Sequence, residues 1–285
     1  MYNIGKDFGN KSDKQNFSDY ILWSCEWLDI CMAHLKSTGV AYIYGFPEIL
    51  AHIAVKYPPD KQRWLVWHYT NKTVPTSKFW QRSHESILCL WKEKRPNLEI
   101  DRIREAYTDS YKKCIGKVRK ETKCRYSRKG KKTIYNGHEG GALPRDVIKI
   151  PALAGGAGYK ERWFLCRDHG NKLYPPHKLS EHKNCNILKH PTQKPMKLTQ
   201  RLLLSAVNGS GALIPFAGSG SECVVAQSMG ARFFATEVNK EFVSFGRKWL
   251  EVSDPVSTCA KYENKKPTVN LHLRVPKSES VPKYS

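Results

Sequence analysis

The chain has 285 residues, 40% of them hydrophobic, with 48 Lys or Arg against 26 Asp or Glu and a formal net charge of +22. That length allows one large α/β domain with a substantial insertion, and no stretch is long and apolar enough to span a membrane. A charge this positive is out of keeping with an enzyme of a small metabolite and points to nucleic acid as partner. The N-terminus has no basic region followed by an apolar core, and the nine cysteines are scattered and odd in number. A cytoplasmic protein with free thiols is therefore expected.

Phe17 to Lys36 carries the apolar period of a helix, with Ile21, Leu22, Cys25, Leu28, Met32 and Leu35 on one face and Gly39 just past its end. Val40 to Tyr44 predicts a short buried strand, Ile49 to Lys56 a helix, and Arg63 to Tyr69 and Ile87 to Trp91 two more strands. The connection from Asn71 to His84, with Lys72, Lys78, Trp80 and Arg82, lies at a strand end, where open α/β sheets gather ligands. Contact with DNA or a target base and an ordinary hairpin connection are both open readings of it.

From Lys92 to Lys189 the β/α rhythm is lost. Between Lys112 and Lys132 lie eleven basic residues and a single acid, Glu121: Lys112, Lys113, Lys117, Arg119, Lys120, Lys123, Arg125, Arg128, Lys129, Lys131 and Lys132. Tyr111, Tyr126 and Tyr135 lie in and beside the run. Basic side chains neutralise phosphates while rings stack on exposed bases, which makes this segment the candidate DNA-binding surface. A disordered basic segment is the alternative, against which the flanking apolar and glycine-turn segments argue. Further on, Cys166-x2-His169 and His182-x2-Cys185, with His177 between them, have a spacing that zinc sites use. A basic region also uses Cys and His for packing and phosphate contacts, and mixed pairs are less diagnostic than two Cys-x2-Cys pairs. No bound metal is expected.

His190-Pro191-Thr192-Gln193-Lys194-Pro195 precedes a helical stretch, Met196 to Val207, with Leu198, Leu202 and Ala206 in register. A strand (Ala212 to Ile214), the turn Pro215-Phe216-Ala217-Gly218-Ser219-Gly220, a helix (Ser221 to Met229) and a second β-rich run (Ala231 to Glu237) follow. Glycines at 218 and 220 let the backbone pass close under a ligand, at which the new helix aims unpaired N–H groups and its positive dipole end. Glu237, at the tip of the next strand, is where ribose hydroxyls would sit. The spacing predicts a nucleoside-cofactor site, with a purely structural turn as the alternative. Phe-x-Gly-x-Gly lacks the third glycine of a dinucleotide fingerprint, so a nucleoside with a short charged tail is favoured over a pyrophosphate. Beyond Trp249 the tail is polar, with Pro255, Pro267, Pro276 and Pro282, and little fixed structure is expected there.

The glycine turn, with His-Pro-Thr-Gln-Lys-Pro and its helix just upstream, resembles the S-adenosylmethionine-dependent DNA amino-methyltransferases. The motif order resembles their β arrangement, in which target-base motif, recognition region and cofactor motif follow in that order, and the resemblance covers nearly the whole chain. It implies an α/β fold: a Rossmann-like methyltransferase sheet in permuted order with a basic recognition insertion. The chain then divides into a target-base half (1–91), a target-recognition region (92–189), a cofactor-binding half (190–250) and a flexible polar tail (251–285). Lys149 to Leu153 and Glu161-Arg162-Trp163 resemble the approach to the cofactor-side motif. By resemblance, Phe216, Ala217, Gly218, Ser219 and Gly220 line the S-adenosylmethionine pocket, Glu237 takes the ribose, and His190, Thr192 and Lys194 flank the methionine end. The reaction implied is methyl transfer to the N6 amine of adenine in a short site of double-stranded DNA, the base being flipped out first. A cognate restriction endonuclease is a further implied partner.

Members of that family carry Asp-Pro-Pro-Tyr, often followed by Asn, at the end of a strand. This chain begins Met1-Tyr2-Asn3, as if on the last residue of the tetrapeptide. Tyr2 can stack on a flipped base, but no residue matches the Asp, which in the family accepts the amine hydrogens and localises its lone pair. Asp7 lies in a polar loop and is not assigned that role. The chain is therefore expected to be truncated within the motif, its sheet one strand short and its activity in doubt. Where the family often has Asp-Pro-Phe, this chain has Ile214-Pro215-Phe216, which leaves the methionine ammonium without one acceptor. An N4-cytosine enzyme, usually signalled by Ser in place of the Asp, and a DNA-binding remnant without catalysis are the alternatives. Tyr2-Asn3 favours adenine.

Overall fold

The first helix, α1 (Phe17–His34), starts at Asn16, whose side-chain oxygen accepts the Ser18 amide at 2.9 Å. Its inward residues are Tyr20, Ser24, Cys25, Leu28 and Met32. The apolar face expected from the sequence is rotated: Leu22 is 63% exposed, while Ser24 is fully buried. The Ser24 hydroxyl donates to the Tyr20 carbonyl at 2.6 Å, so this polar residue turns inward with its hydrogen bond closed on its own helix. The structure, a computed structural model, describes residues 3, 5, 14–71, 77–119, 133–153, 162–206 and 211–252. Among them, 15–150 with 201–206 form one compact unit, and 151–200 with 211–252 a second.

In the first unit, α1 is followed by β1 (Ala41–Gly45), α2 (Pro47–Ala54), β2 (Gln62–His68) and β3 (His84–Leu90). The short elements α3 (Asp109–Lys112), β4 (Val118–Arg119), β5 (Thr133–Ile134) and β6 (Val147–Lys149) come next. A four-stranded sheet runs in the order β1-β3-β2-β6, with β3 antiparallel to both its neighbours and β6 parallel to β2. Ser86, Ile87, Leu88, Cys89 and Leu90 are all buried, because β3 is central and covered on both faces. On one face Ile43, Leu88 and Leu90 pack against Cys25, Leu28, Leu50 and Ile53 of the two helices. Elsewhere in the unit the Tyr42 hydroxyl meets Ser205 Oγ at 2.9 Å, and Trp67 Nε1 donates to the Ile150 carbonyl at 2.9 Å. Strand β6 falls inside the segment read as a recognition region, 92–189. Its described residues through Ile150 are counted with the first unit and those from Pro151 with the second.

In the second unit, β7 (Phe164–Cys166), β8 (Lys172–Tyr174) and β9 (Ile187–Leu188) make a small antiparallel sheet in the order β8-β7-β9. Helix α4 (Met196–Ala206) follows, its first turns counted here and its last with the first unit. Then come β10 (Ala212–Ile214), α5 (Ser221–Ser228), β11 (Phe233–Ala235) and α6 (Lys240–Glu251). Strands β10 and β11 are parallel, with Ala212 opposite Phe233 and Ile214 opposite Ala235. Helix α6 is capped by Asn239, whose side chain accepts the Glu241 amide at 2.8 Å. Its Phe245 and Trp249 are fully buried, and Trp163 packs on Trp249 with ring centroids 5.9 Å apart. Among the described residues no helix is long and apolar enough to cross a membrane.

The corrected face of α1 and the core beneath it predict unequal costs. Ile53→Ala, at a site with no exposure, should lower unfolding free energy by about 2–5 kcal/mol. Leu22→Ala should change it by no more than about 0.5 kcal/mol. Urea unfolding followed by circular dichroism measures both, and equal losses would restore the face read from periodicity.

Candidate cofactor site

Strand β10 ends on buried Ile214, and the chain then coils tightly. Phe216, Gly218 and Gly220 all have positive φ, +60°, +57° and +84°. A left-handed non-glycine residue costs roughly 1–2 kcal/mol, so the strain at Phe216, half exposed, is held by its surroundings. Those surroundings are the end of β11. The Thr236 amide donates to the Ile214 carbonyl at 3.1 Å, and the Ala217 amide to the Thr236 carbonyl at 2.8 Å. The Glu237 carboxylate completes the hold: one oxygen accepts the Gly218 amide and the other the Asn239 amide, each at 2.8 Å.

Both glycines are required by space as well as by φ. A Cβ on Gly218 would meet His190 Nε2 at 2.6 Å, and one on Gly220 would meet the Gly246 Cα of α6 at 3.0 Å. Helix α5 begins at Gly220 with no side-chain cap on its first amides. Ser219 Oγ, 1% exposed, has no hydrogen-bond partner among the described residues. Amides at a helix start and a buried hydroxyl are donors of the kind a polar ligand satisfies.

The segment His190 to Pro195 lies against this turn. His190, Gln193 and Lys194 are buried, and the His190 ring meets Phe242 edge to face at 4.6 Å. Arg162 donates to the His190 carbonyl. Burial, with Lys194 and Arg162 nearby, pushes the His190 imidazole down to about 3, so the ring is neutral at physiological pH. Burial raises the Glu222 carboxyl in the first turn of α5, opposed by the Ser221 hydroxyl that donates to it at 2.7 Å and by the Lys194 charge.

These observations place side chains of the expected site together within one unit: the turn from Phe216 to Gly220, Glu237 and His190, with Lys194 close enough to His190 to influence its charge. Thr192, in the same segment, is half-buried. Sequence reasoning missed Asn239, Phe242 and Gly246. A cap-type Asn two residues past Glu237 was the available signal for the first.

Over residues 1–248 the chain matches the N6/N4 methyltransferase family, described as DNA methylase. The chain belongs to that family of DNA methylases. It is 27% identical over 256 residues to the Type II methyltransferase M.HpaI of Haemophilus parainfluenzae, covering 88% of this chain and 65% of that protein. It is 29% identical over 289 residues to the DNA adenine methyltransferase YhdJ of Escherichia coli K12, covering 99% of this chain and 84% of that one. The chain thus spans just under two thirds of M.HpaI. Among solved structures it is similar to the PvuII DNA methyltransferase (cytosine-N4-specific), with a TM-score of 0.53 and 12% identity over 91% of this chain and 82% of that chain. This likeness is one of fold, and it agrees with the Rossmann-like methyltransferase architecture expected from the sequence.

The other expected site residues belong to the first unit or lie outside the described residues. Tyr2 lies outside the described residues, while Asn3 is tied to Gln15 by two hydrogen bonds of 3.1 and 2.9 Å. In the loop after β2, Lys72 is outside the described residues, Lys78 is exposed, and Trp80 is 87% exposed. Arg82 is committed to Glu48 at 2.6 Å and to the face of Phe46 at 4.2 Å. Of the basic run, Lys112, Lys113 and Lys117 are exposed, and Arg119 is in β4, which pairs with β5. Lys120, Lys123, Arg125, Arg128, Lys129, Lys131 and Lys132 lie outside the described residues. Tyr111 stacks on Tyr107 at 4.7 Å and meets Tyr135 edge-on at 5.9 Å, so these rings pack on one another at the foot of the run.

The residues present fit S-adenosylmethionine: a carboxylate at a strand tip for ribose, open helix amides, a buried unpartnered hydroxyl and a backbone that no Cβ screens. Gly218→Ala should therefore abolish its binding with the fold retained, and Glu237→Ala should weaken it by about 1.5–3 kcal/mol. Titration calorimetry beside circular dichroism tests both, and unchanged affinity in the two variants would remove the ligand from this turn.

His190 gives a second expectation. Its folded value of about 3 lies below the ordinary 6.5, so the unfolded chain binds the extra proton first. Its contribution to stability is complete above about 6.5 and is lost as pH falls toward 3, by roughly 1.4 kcal/mol for each pH unit inside that window. Denaturant unfolding across that range should show a flatter pH dependence for His190→Gln than for the wild type. Equal slopes would mean that the ring titrates as an exposed histidine does.

Proposed function

We propose that this protein transfers a methyl group from S-adenosylmethionine to the N6 amine of adenine in a short site of double-stranded DNA. The observation that carries the reading is the Gly218 turn with the Glu237 carboxylate fixed beneath it, in a chain of the DNA methylase family. YhdJ, 29% identical over 99% of this chain, is named a DNA adenine methyltransferase, and Tyr2-Asn3 favours the same base.

Bound S-adenosylmethionine supplies an electrophilic methyl on a positively charged sulfur. Each Glu237 oxygen spends one acceptor position on a backbone amide and keeps another, so both are free to take ribose hydroxyls. The neutral His190 ring walls the turn without adding a positive charge beside that sulfur. Lys194, buried, presents an ammonium suited to the carboxylate of the methionine end. On the DNA side, Tyr2 stacks on the flipped adenine and the basic run from Lys112 to Lys132 neutralises phosphates. Recognition is assigned to 92–189 and cofactor binding to 190–250, while the tail expected beyond 250 lies, from residue 253 on, outside the described residues. A cytoplasmic setting and a cognate restriction endonuclease belong to the same reading, M.HpaI being named a Type II methyltransferase.

The deciding experiment incubates the protein with labelled S-adenosylmethionine and mixed-sequence duplex DNA, then digests the DNA to nucleosides. Label in N6-methyladenine is expected. Label in N4-methylcytosine would transfer the activity to the other base of the family. Tight binding of cofactor and DNA with no label in either base would make this a binding protein.

A further inference from the structure

We propose that Cys166, His169, His182 and Cys185 bind one structural zinc ion. The sequence spacing alone favoured packing over metal. The structure brings the four donor atoms within 4.8 Å of one another. Cys166 Sγ is 3.0 Å from His169 Nδ1, and Cys185 Sγ is 3.7 Å from the same nitrogen. A tetrahedral zinc with bonds of about 2.3 Å to sulfur and about 2.0 Å to nitrogen needs donor–donor edges of roughly 3.3–3.8 Å. The four side chains are within about an ångström of that geometry. His177, between the two pairs in sequence, is exposed and outside the group.

The local fold prepares the site. Strand β7 ends on Cys166, and the turn that follows carries His169, then Gly170 and Asn171 with φ of +67° and +54°, before β8 begins. A 3-10 segment, Pro176–His182, ends on His182, and Cys185 comes just before β9. The two loops are pinned together by bonds that leave the donors free. The Arg167 amide donates to the Asn186 carbonyl at 2.9 Å, and the Asn186 amide donates to an Asp168 carboxylate oxygen at 2.7 Å. His182 is held by ring contacts with Tyr174 at 4.2 Å and Phe164 at 5.3 Å. Its ring is buried, with Nδ1 lacking a hydrogen-bond partner among the described residues.

Two thiolates and two neutral imidazoles balance a dication, and four protein donors leave no open position, which makes the site structural. Cys166 and Cys185 are free thiols. The small sheet also needs support. Its buried core is Phe164, Cys166 and Leu179, too few for three strands of two or three residues to stand on apolar burial alone.

The test measures metal in the protein purified under reducing conditions without chelator. Mass spectrometry of metals should give one zinc per chain, retained in Cys31→Ser and Cys114→Ser and lost in Cys166→Ser and Cys185→Ser. His169→Cys, which keeps four donors, should retain it. Cobalt added to reduced, metal-free wild type should produce the sulfur-to-cobalt absorption and visible bands of a tetrahedral dithiolate site. That titration needs no variant, so misfolding of a substituted chain does not blunt it. Absence of those bands, or equal zinc in wild type and Cys185→Ser, would overturn the proposal in favour of a hydrogen-bonded Cys/His cluster.

Discussion

One carboxylate ties three segments of the second unit together. Glu237 leaves the end of β11 and accepts amides from the turn after β10 and from the residue that starts α6, at 2.8 Å each. Hydrogen bonds to a charged acceptor are worth about 1.5–3 kcal/mol, more than neutral ones. Asn239, one of the two donors, also caps α6 through its side chain. That helix carries Phe242 against the His190 ring, and the His190 ring occupies the space a Cβ of residue 218 would need. The contacts close on themselves: the turn fixes the carboxylate, the carboxylate fixes the helix, and the helix fixes the ring that forbids a side chain at 218.

The same constraint explains why charge in this region takes the form it does. Burial acts first on His190, and Lys194 and Arg162 bear on it in the same direction, so the imidazole gives up its proton rather than become a third positive charge beside them. Glu222 is pulled two ways, by burial toward neutrality and by Ser221 and Lys194 toward the anion. A site that is to receive a ligand bearing a positive sulfur, a carboxylate and an ammonium gains from groups whose charge is already settled by their surroundings, because little reorganisation remains when the ligand arrives.

The glycine turn and Glu237 were legible because each is a local requirement: φ at two positions, and a carboxylate at a strand tip a fixed distance on. The contact that makes Gly218 obligatory was not, since His190 is brought there by packing and nothing near it in the chain records that. The inward face of α1 was misread at Leu22 because Ser24 hides its hydroxyl in the helix's own backbone, which apolar periodicity does not register. Strand β6 was missed for another reason. Three residues give no period to read, and its place beside β2 is a long-range pairing, Val66 with Val147. The spacing of the Cys/His pairs was visible, but their convergence depends on Arg167, Asp168 and Asn186 locking two loops, which only the antiparallel pairing of β7 with β9 supplies.

That lock reaches the cofactor turn through α6. Arg167, next to Cys166, donates to Glu241 at 2.6 and 3.1 Å, and Lys248 donates to the Asn171 carbonyl, so the β7–β8 turn rests along the helix that Glu237 anchors. Both partners of the ion pair are partly exposed, 34% and 53%, and such pairs contribute at most about 1 kcal/mol by themselves. An ion pair this weak adds little to the order of the turn, whose two loops are also bonded to each other through Arg167, Asp168 and Asn186. A metal held by those loops would fix the outer side of the helix that Glu237 fixes at its start.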